Sequence, residues 1–385
     1  MTASPLWLVG FRPFFALACV AGAVLPVAWV VIFLGAVPPA PTFALSALQW
    51  HAHEMFYGFG WAMLGGFLLT ASKNWLGIRG YHGAALMFLA AAWLVERIGM
   101  VGGGAWPLPL FYLSNLTFLA VVVAMLLATL IRHRAADSYR DNAYFIFALP
   151  LFLPAKWLML SPDGFAAGQT MTLALFRVCF LLMLERTLTQ FMKGVFQINV
   201  PRYPLLDHAI KGLACIAIFA AWLPSSLAAT VDGVLAAVLL LRWLWWSPWR
   251  ALRRLDIGIM YLGYAAIIAQ LLLDLLERSG AWRGVGNLTL HTFGVGAMGT
   301  IVPAMIVRLS KGHTGRKVTF DALDMGVLWL MLGGAFVRLA LPQVAPSLYA
   351  LWLPLAALCW LAAFGLLGWR YIPWLLQARA DGREH

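Results

Sequence analysis

Long apolar runs dominate the chain, broken by short polar connections. Twelve runs approach the roughly 20 mostly apolar residues that a helix needs to cross a bilayer. They lie near 13–35, 52–71, 82–101, 107–131, 142–160, 167–195, 205–223, 227–246, 256–276, 286–307, 322–341 and 347–369. The least distinct division is at Pro224, where a Pro-Ser-Ser turn alone separates two runs. No connection is long enough to hold a separate soluble domain. The pattern predicts an all-α, polytopic membrane bundle of about twelve transmembrane helices, with residues 1–385 forming a single transmembrane domain. The first run lacks a short apolar core followed by a small-residue cleavage site, so it is expected to stay as a helix.

Composition agrees with this pattern. The chain is 63% hydrophobic and 11% charged, against roughly 45–50% and about 25% in soluble domains. Lipid must therefore cover part of the surface. The net charge of +12 does not point to nucleic acid. Its Lys and Arg residues sit in short loops between apolar runs, the distribution that sets membrane orientation, and no groove-reading motif is present. With the N-terminus placed in the cytoplasm, one side collects Lys73, Arg79, Arg132, Arg134, Arg140, Arg202, Arg250, Arg253, Arg254, Lys311, Arg316 and Lys317, while the other holds little beyond Arg278 and Arg283. Both termini are thus expected to be cytoplasmic. Cys19, Cys179, Cys215 and Cys359 are scattered singly through apolar runs, and read as buried, unreactive thiols.

The densest group of metal-binding side chains is in Gln49-Trp50-His51-Ala52-His53-Glu54-Met55-Phe56-Tyr57-Gly58. His51 and His53 are two apart, about 200° of helical rotation. On a regular helix they face different neighbours; if the helix begins only at Glu54, an extended segment could bring both to one metal. Neutral imidazole ligates iron and copper. An interfacial pair of hydrogen-bonding histidines is the plainer reading. Glu54 either orients a ligating imidazole or complements the dipole of a helix that it opens. Tyr57 either donates a hydrogen bond or anchors at the interface. Gly58, Gly60, Gly65 and Gly66 allow close approach of a second backbone or of a flat macrocycle.

His291 opens a second such helix. In the predicted topology it shares the outer depth of His51 and His53, which makes it a third ligand candidate. Gly294, Gly296 and Gly299 that follow match a dinucleotide-loop spacing, but inside an apolar helix, without a preceding strand, this spacing is a decoy. Charged residues within spans need partners or water. Glu96, Arg97, Lys156, Asp274 and Arg338 fall toward the outer side, where Arg or Lys suits haem propionates and structural ion pairs are the alternative. Arg177 is deeper and has no evident partner; Glu185 and Arg186 lie toward the cytoplasmic end. Ser310–Lys317 is a basic, glycine-punctuated turn, suited to an anion or to an ordinary inside loop. Asn74, His82 and His208 carry the same two readings, and His133 and His385 read as solvated loop and tail residues.

Gly10-Phe11-Arg12-Pro13-Phe14-Phe15, His51-Ala52-His53-Glu54-Met55, Gly66-Phe67-Leu68-Leu69-Thr70-Ala71 and Asn74-Trp75 together resemble the NnrS family. So do His291 with Gly294-Val295-Gly296-Ala297-Met298-Gly299-Thr300, and Gly312-His313-Thr314-Gly315-Arg316. These blocks span nearly the whole chain. The resemblance implies a multi-pass protein of the bacterial inner membrane containing haem b and copper, tied to denitrification and to resistance to nitric oxide. It implies His51, His53 and His291 as matching ligand candidates; the residue reading adds Arg97 and Arg338 as cofactor-side cations and Glu54 as a metal-side carboxylate, with Tyr57, Asn74, His313 and Arg316 as further candidates. Residues 192–201 match the family pattern only loosely, and its Gly-Arg pair is missing.

The expected function is binding or conversion of nitric oxide, or a related nitrogen oxide, at a periplasm-side His-ligated centre, with quinol as a plausible donor. The alternatives are a transporter without redox cofactor, with a path along Glu96, Arg97, Arg177, Asp274 and Arg338, and a haem-based sensor or assembly factor. A transporter would show symmetry between halves. The His-bearing helices are second and tenth, which do not correspond across a six-plus-six division.

Overall fold

The computed structural model describes residues 4–36 and 45–383; His385, read as a tail residue, lies outside them. The main helices in chain order are α1 (Phe11–Phe33), α2 (Ala47–Leu76), α3 (Ala84–Gly102), α4 (Leu108–Arg132), α5 (Asn142–Leu160) and α6 (Phe165–Phe196). They continue with α7 (Pro204–Ala217), α8 (Ser225–Trp245), α9 (Leu255–Arg278), α10 (Leu288–His313), α11 (Ala322–Leu339) and α12 (Tyr349–Leu375). No strand occurs among the described residues. Among the described residues, eleven helices are long and apolar enough to cross a membrane.

The exception is α7. Its 14 residues rise only about 21 Å, short of a hydrocarbon core of about 30 Å. It still runs from one charged level to another. Lys211 near its start meets Glu185, while Ala217 at its end, and Ala220 in the 3₁₀ turn beyond it, line a cavity with Asp274 and Arg278. The expected span at 205–223 is thus a short helix completed by an irregular turn.

The chain forms two compact units. The first comprises Met1–Gly168, Ile306–Thr319 and Trp360–His385; the second comprises Gln169–Met305 and Phe320–Cys359. In the first, α1 meets α2 through glycines. A Cβ on Gly10 would lie 2.6 Å from Leu69 Cβ, and one on Gly66 would lie 2.6 Å from Phe14 Cβ. Where lipid is as apolar as the helix surface, such close backbone approach is what holds helices together. Phe59 then packs edge-on against Trp360 and Phe364. In the second unit α8 and α9 are antiparallel: Arg242 reaches Tyr264 at one end, and Ser225 reaches the Arg278 carbonyl at the other.

Two helices share an unusual construction. Within α2, residues Glu54–Gly60 form a seven-residue π-helix beginning directly after His53. Within α10, Thr292–Met298 do the same directly after His291. The likeness continues beyond the π segments. Gly58 and Gly296 stand at the same distance from their histidines, as do Ser72-Lys73 and Ser310-Lys311. Gly77 and Gly315 follow at matching positions, and both have left-handed backbone, φ 63° and 78°. The amide after each closes a bond to the matching lysine carbonyl, Ile78 to Lys73 and Arg316 to Lys311. Taken in fours, the twelve helices put α2 and α10 second in the first and last group. The second helix of the middle group, α6, ends on Lys193 and then Gln197, which is left-handed at φ 57° where the others have glycine. A correspondence absent between halves is thus present between the first and last groups, and the middle group shares only the lysine and the left-handed residue after it.

Candidate functional site

The His-bearing helix begins earlier than the apolar pattern indicates. Ser46 caps it, its Oγ accepting from the Gln49 amide at 3.3 Å while Gln49 Oε1 accepts from the Ser46 amide at 3.2 Å. This capping box puts helix from Ala47 onward. An extended segment carrying both histidines is therefore excluded, and so is a dipole role for Glu54 in a first turn.

His51 and His53 diverge as their spacing requires. The His51 ring stacks on Trp29, centroids 4.4 Å apart and 13° from parallel. His53 is fully buried. Its Nδ1 lies 3.1 Å from Glu54 Oε1, whose other oxygen is 3.0 Å from Arg97 Nε. An ionised carboxylate only accepts, and facing it a neutral His53 ring would carry its proton on Nδ1 and its lone pair on Nε2. That nitrogen is buried, has no hydrogen-bond partner, and is 3.6 Å from Glu96 Oε1.

Glu96 pairs with Arg97 and, at 2.6 Å, with Lys156. Lys156 also donates to the Asn115 carbonyl and sits 5.0 Å above the Tyr57 ring. Tyr57 packs 5.3 Å from His53 and donates to the Phe152 carbonyl at 3.4 Å. A Cβ on Gly58 would lie 2.7 Å from Arg97 Nη1, so a larger residue would displace that guanidinium; the Gly58 carbonyl accepts from Trp93 Nε1 at 3.0 Å. The expected outer-side charges Glu96, Arg97 and Lys156 thus converge on His53 and Glu54. Besides His53 Nε2, Glu96 Oε2 and Asn115 Oδ1 are buried without partners. Unsatisfied polar atoms are rare in native interiors.

His291 belongs to the second unit and is held differently. Its Nδ1 donates to the Asn287 carbonyl at 2.9 Å, and Arg338 Nη2 lies 3.1 Å from Nε2. The lone pair accepts that guanidinium. Arg338 also reaches the Gly286 carbonyl and the Tyr349 hydroxyl, each at 3.2 Å. Beside His291, a Cβ on Gly294 would meet nothing within 4 Å. The glycine run lies in π-helix and α-helix, so the dinucleotide spacing is a decoy.

Arg177, without an evident partner in the sequence, donates to Gln270 Oε1 at 2.8 Å and lies 3.8 Å from Asp232. Asp232 and Asp274 both pair with Arg278. Arg177 and Asp274 line one cavity of about 150 Å³, whereas Arg338 turns to His291. Glu185 is the hub of a second charged group, with Lys211 at 3.1 Å, Arg242 at 3.0 Å, and Arg202. Arg242 also meets Asp207 at 3.3 Å.

Of the remaining candidates, Asn74 is exposed. His313 packs 5.3 Å from the Phe11 ring, and Arg316 lies over Trp374 at 4.3 Å. Burial against Trp374 lowers the Arg316 pKa. At the tail, the Arg379 fork holds Asp381 well below the usual carboxylate range. The divergent 192–201 block covers the end of α6 and the segment after it, and its Pro201 carbonyl accepts from Trp246 Nε1.

Fold and site define a polytopic helical membrane protein with an imidazole oriented by a buried carboxylate. The chain belongs to the NnrS family, whose model, described as NnrS protein, matches residues 5–379. That places it among membrane proteins of the nitric oxide response, a family associated with haem and copper. No curated protein matches it.

Proposed function

We propose that the chain binds haem b through His53 and takes up nitric oxide, or a related nitrogen oxide, at that centre on the periplasmic side of the bacterial inner membrane. One observation carries this reading. His53 Nε2 is a buried lone-pair nitrogen without a partner, on a ring whose Nδ1 is fixed by a carboxylate. That is the donor set of an axial imidazole with its orienting group. Haem held by His53 would supply an iron able to bind a diatomic ligand.

The protein residues have distinct parts in this reading. Glu54 fixes the tautomer of His53. Arg97 holds Glu54 in place and keeps a guanidinium at hand for a propionate. Glu96 and Lys156 neutralise one another in the low-dielectric interior. His291, whose lone pair accepts Arg338, binds iron only if that guanidinium turns away. Copper finds less support. Among the described residues no three His, Cys, Asp or Glu side chains come together to hold a metal ion, and both Glu54 oxygens are engaged. With the basic loops inside, twelve traverses leave both termini cytoplasmic. Quinol in the bilayer is the reductant this placement suits.

The test is an oxidised-minus-reduced absorption spectrum of the detergent-purified protein, with metal analysis on the same sample. Haem in wild type, its loss in His53→Ala and its retention in His51→Ala support the assignment. Absence of haem after expression with ample haem overturns it and favours a transporter. Turnover of nitric oxide with a quinol analogue separates an enzyme from a haem-binding sensor or assembly factor.

A further inference from the structure

At the end of the first unit away from His53 lies a cavity of about 340 Å³ that the haem reading does not use. It opens where the apolar part of α2 ends at Leu76, α3 begins at Ala84 and α4 ends at Arg132. Lys73, Arg79 and Arg132 line it, together with the imidazoles of His82 and His133. No carboxylate is in its wall, and none pairs with those three cations among the described residues. Three positive charges around one concavity repel one another unless an anion joins them.

The cavity is built and not a chance gap between mobile loops. Tyr81, in its wall, donates to the Met125 carbonyl at 3.1 Å and accepts from Thr129 Oγ1 at 3.1 Å, tying the α2–α3 turn to α4. His82 Nδ1 donates to the Gly80 carbonyl at 2.9 Å. The Gly83 amide donates to the Trp7 carbonyl at 2.7 Å. Gly77 and Gly83, with φ 63° and 61°, give the turn its left-handed bends. The stem of Lys73 packs on Gly80, where a Cβ would lie 3.4 Å away. Beside the hydroxyls of Ser72 and Thr129, the rest of the wall is apolar, from Leu69, Ile78, Ala85 and Ala128.

We propose that this cavity binds a phosphate group, carried by an anionic lipid whose chains lie along the apolar wall. Phosphate offers oxygens that guanidinium and ammonium groups recognise together. Basic pockets between helices at the membrane interface are suited to acidic headgroups. Inorganic phosphate shares the chemistry and lacks the chains, so the apolar wall separates the two sources.

The experiment uses the full chain in detergent, delipidated, with phosphatidylglycerol, phosphatidylcholine or inorganic phosphate added. Native mass spectrometry counts retained lipid, and a thermal scan follows the unfolding midpoint. The expected result is selective retention of phosphatidylglycerol by wild type with a raised midpoint. Lys73→Gln/Arg79→Gln/Arg132→Gln should bind it at least tenfold more weakly. Arg132→Gln alone, a milder change at a helix end, should weaken it in the same direction. Arg250→Gln/Arg253→Gln, which removes exposed charge elsewhere, should bind as wild type does. If inorganic phosphate displaces the lipid or raises the midpoint by itself, the phosphate site stands. Equal retention of both lipids with no phosphate effect, or undiminished binding by the triple variant, overturns the proposal.

Discussion

Glu54 Oε1 lies 3.1 Å from His53 Nδ1 although the two residues are neighbours in sequence. Adjacent residues on a helix point about 100° apart, so this contact needs the carboxylate to fold back. Arg97, 3.0 Å from its other oxygen, holds it there. On the reading above, Glu54→Gln keeps the shape and loses the charge. Haem or metal affinity should fall about 10- to 100-fold, read by titration of the purified apoprotein. His53→Ala should abolish binding. Equal affinity of E54Q and wild type would remove Glu54 from the site.

Glu96 and Lys156 are both fully buried and 2.6 Å apart. Removing one member leaves the other charged in the interior. Glu96→Gln or Lys156→Met should each lower stability by about 3–5 kcal/mol, with the double variant recovering much of the loss. Unfolding in detergent against denaturant measures it. Additive losses in the double variant would mean that the two residues are not a pair.

Gln197 holds left-handed backbone, φ 57°, where a side chain costs roughly 1–2 kcal/mol. Gln197→Gly should raise the unfolding free energy by about 1 kcal/mol. Gly77→Ala and Gly315→Ala should lower it by a similar amount. Gly315→Ala should lower it further, because its Cβ would lie 2.6 Å from Asp381. A lower thermal midpoint for Q197G than for wild type would contradict this.

The glycines of α2 and α10 should answer differently. Gly66→Leu forces a side chain against Phe14, 2.6 Å from where its Cβ begins, and overpacking of this kind costs about 1–3 kcal/mol. Gly294 faces open space, so Gly294→Ala should leave the midpoint unchanged or slightly raised. Haem titration of the same G294A protein should match wild type, because the proposed ligand is His53 and the His291 lone pair beside Gly294 is taken by Arg338.

The spans were legible because each needs about 20 apolar residues in a row, and hydropathy alone carries that signal. The short α7 was not, because Pro224 interrupts an apolar run without marking where helix gives way to turn. The early start of α2 was written in Ser46 and Gln49, a polar pair that an apolar-run reading passes over. The spacing of His51 and His53 correctly forecast that they face apart. The partners of Arg177 were hidden, since Gln270 and Asp232 lie on helices whose neighbourhood depends on packing. The π segments left no trace in the apolar pattern, for their glycines read equally well as helix contacts.

The matched positions of His53 with Gly77 and His291 with Gly315 make this chain its own alignment. Counting back from Gln197 by the same interval reaches Leu173, which is buried and cannot ligate. The first and last groups carry an imidazole and a terminal glycine at these positions, and the middle group carries neither. A histidine moved to Leu173 in the middle group, or a leucine to His53 in the first, is therefore an exchange between matching positions of one molecule. Which copy tolerates the other's residue can be read within a single polypeptide, with no relative needed for comparison.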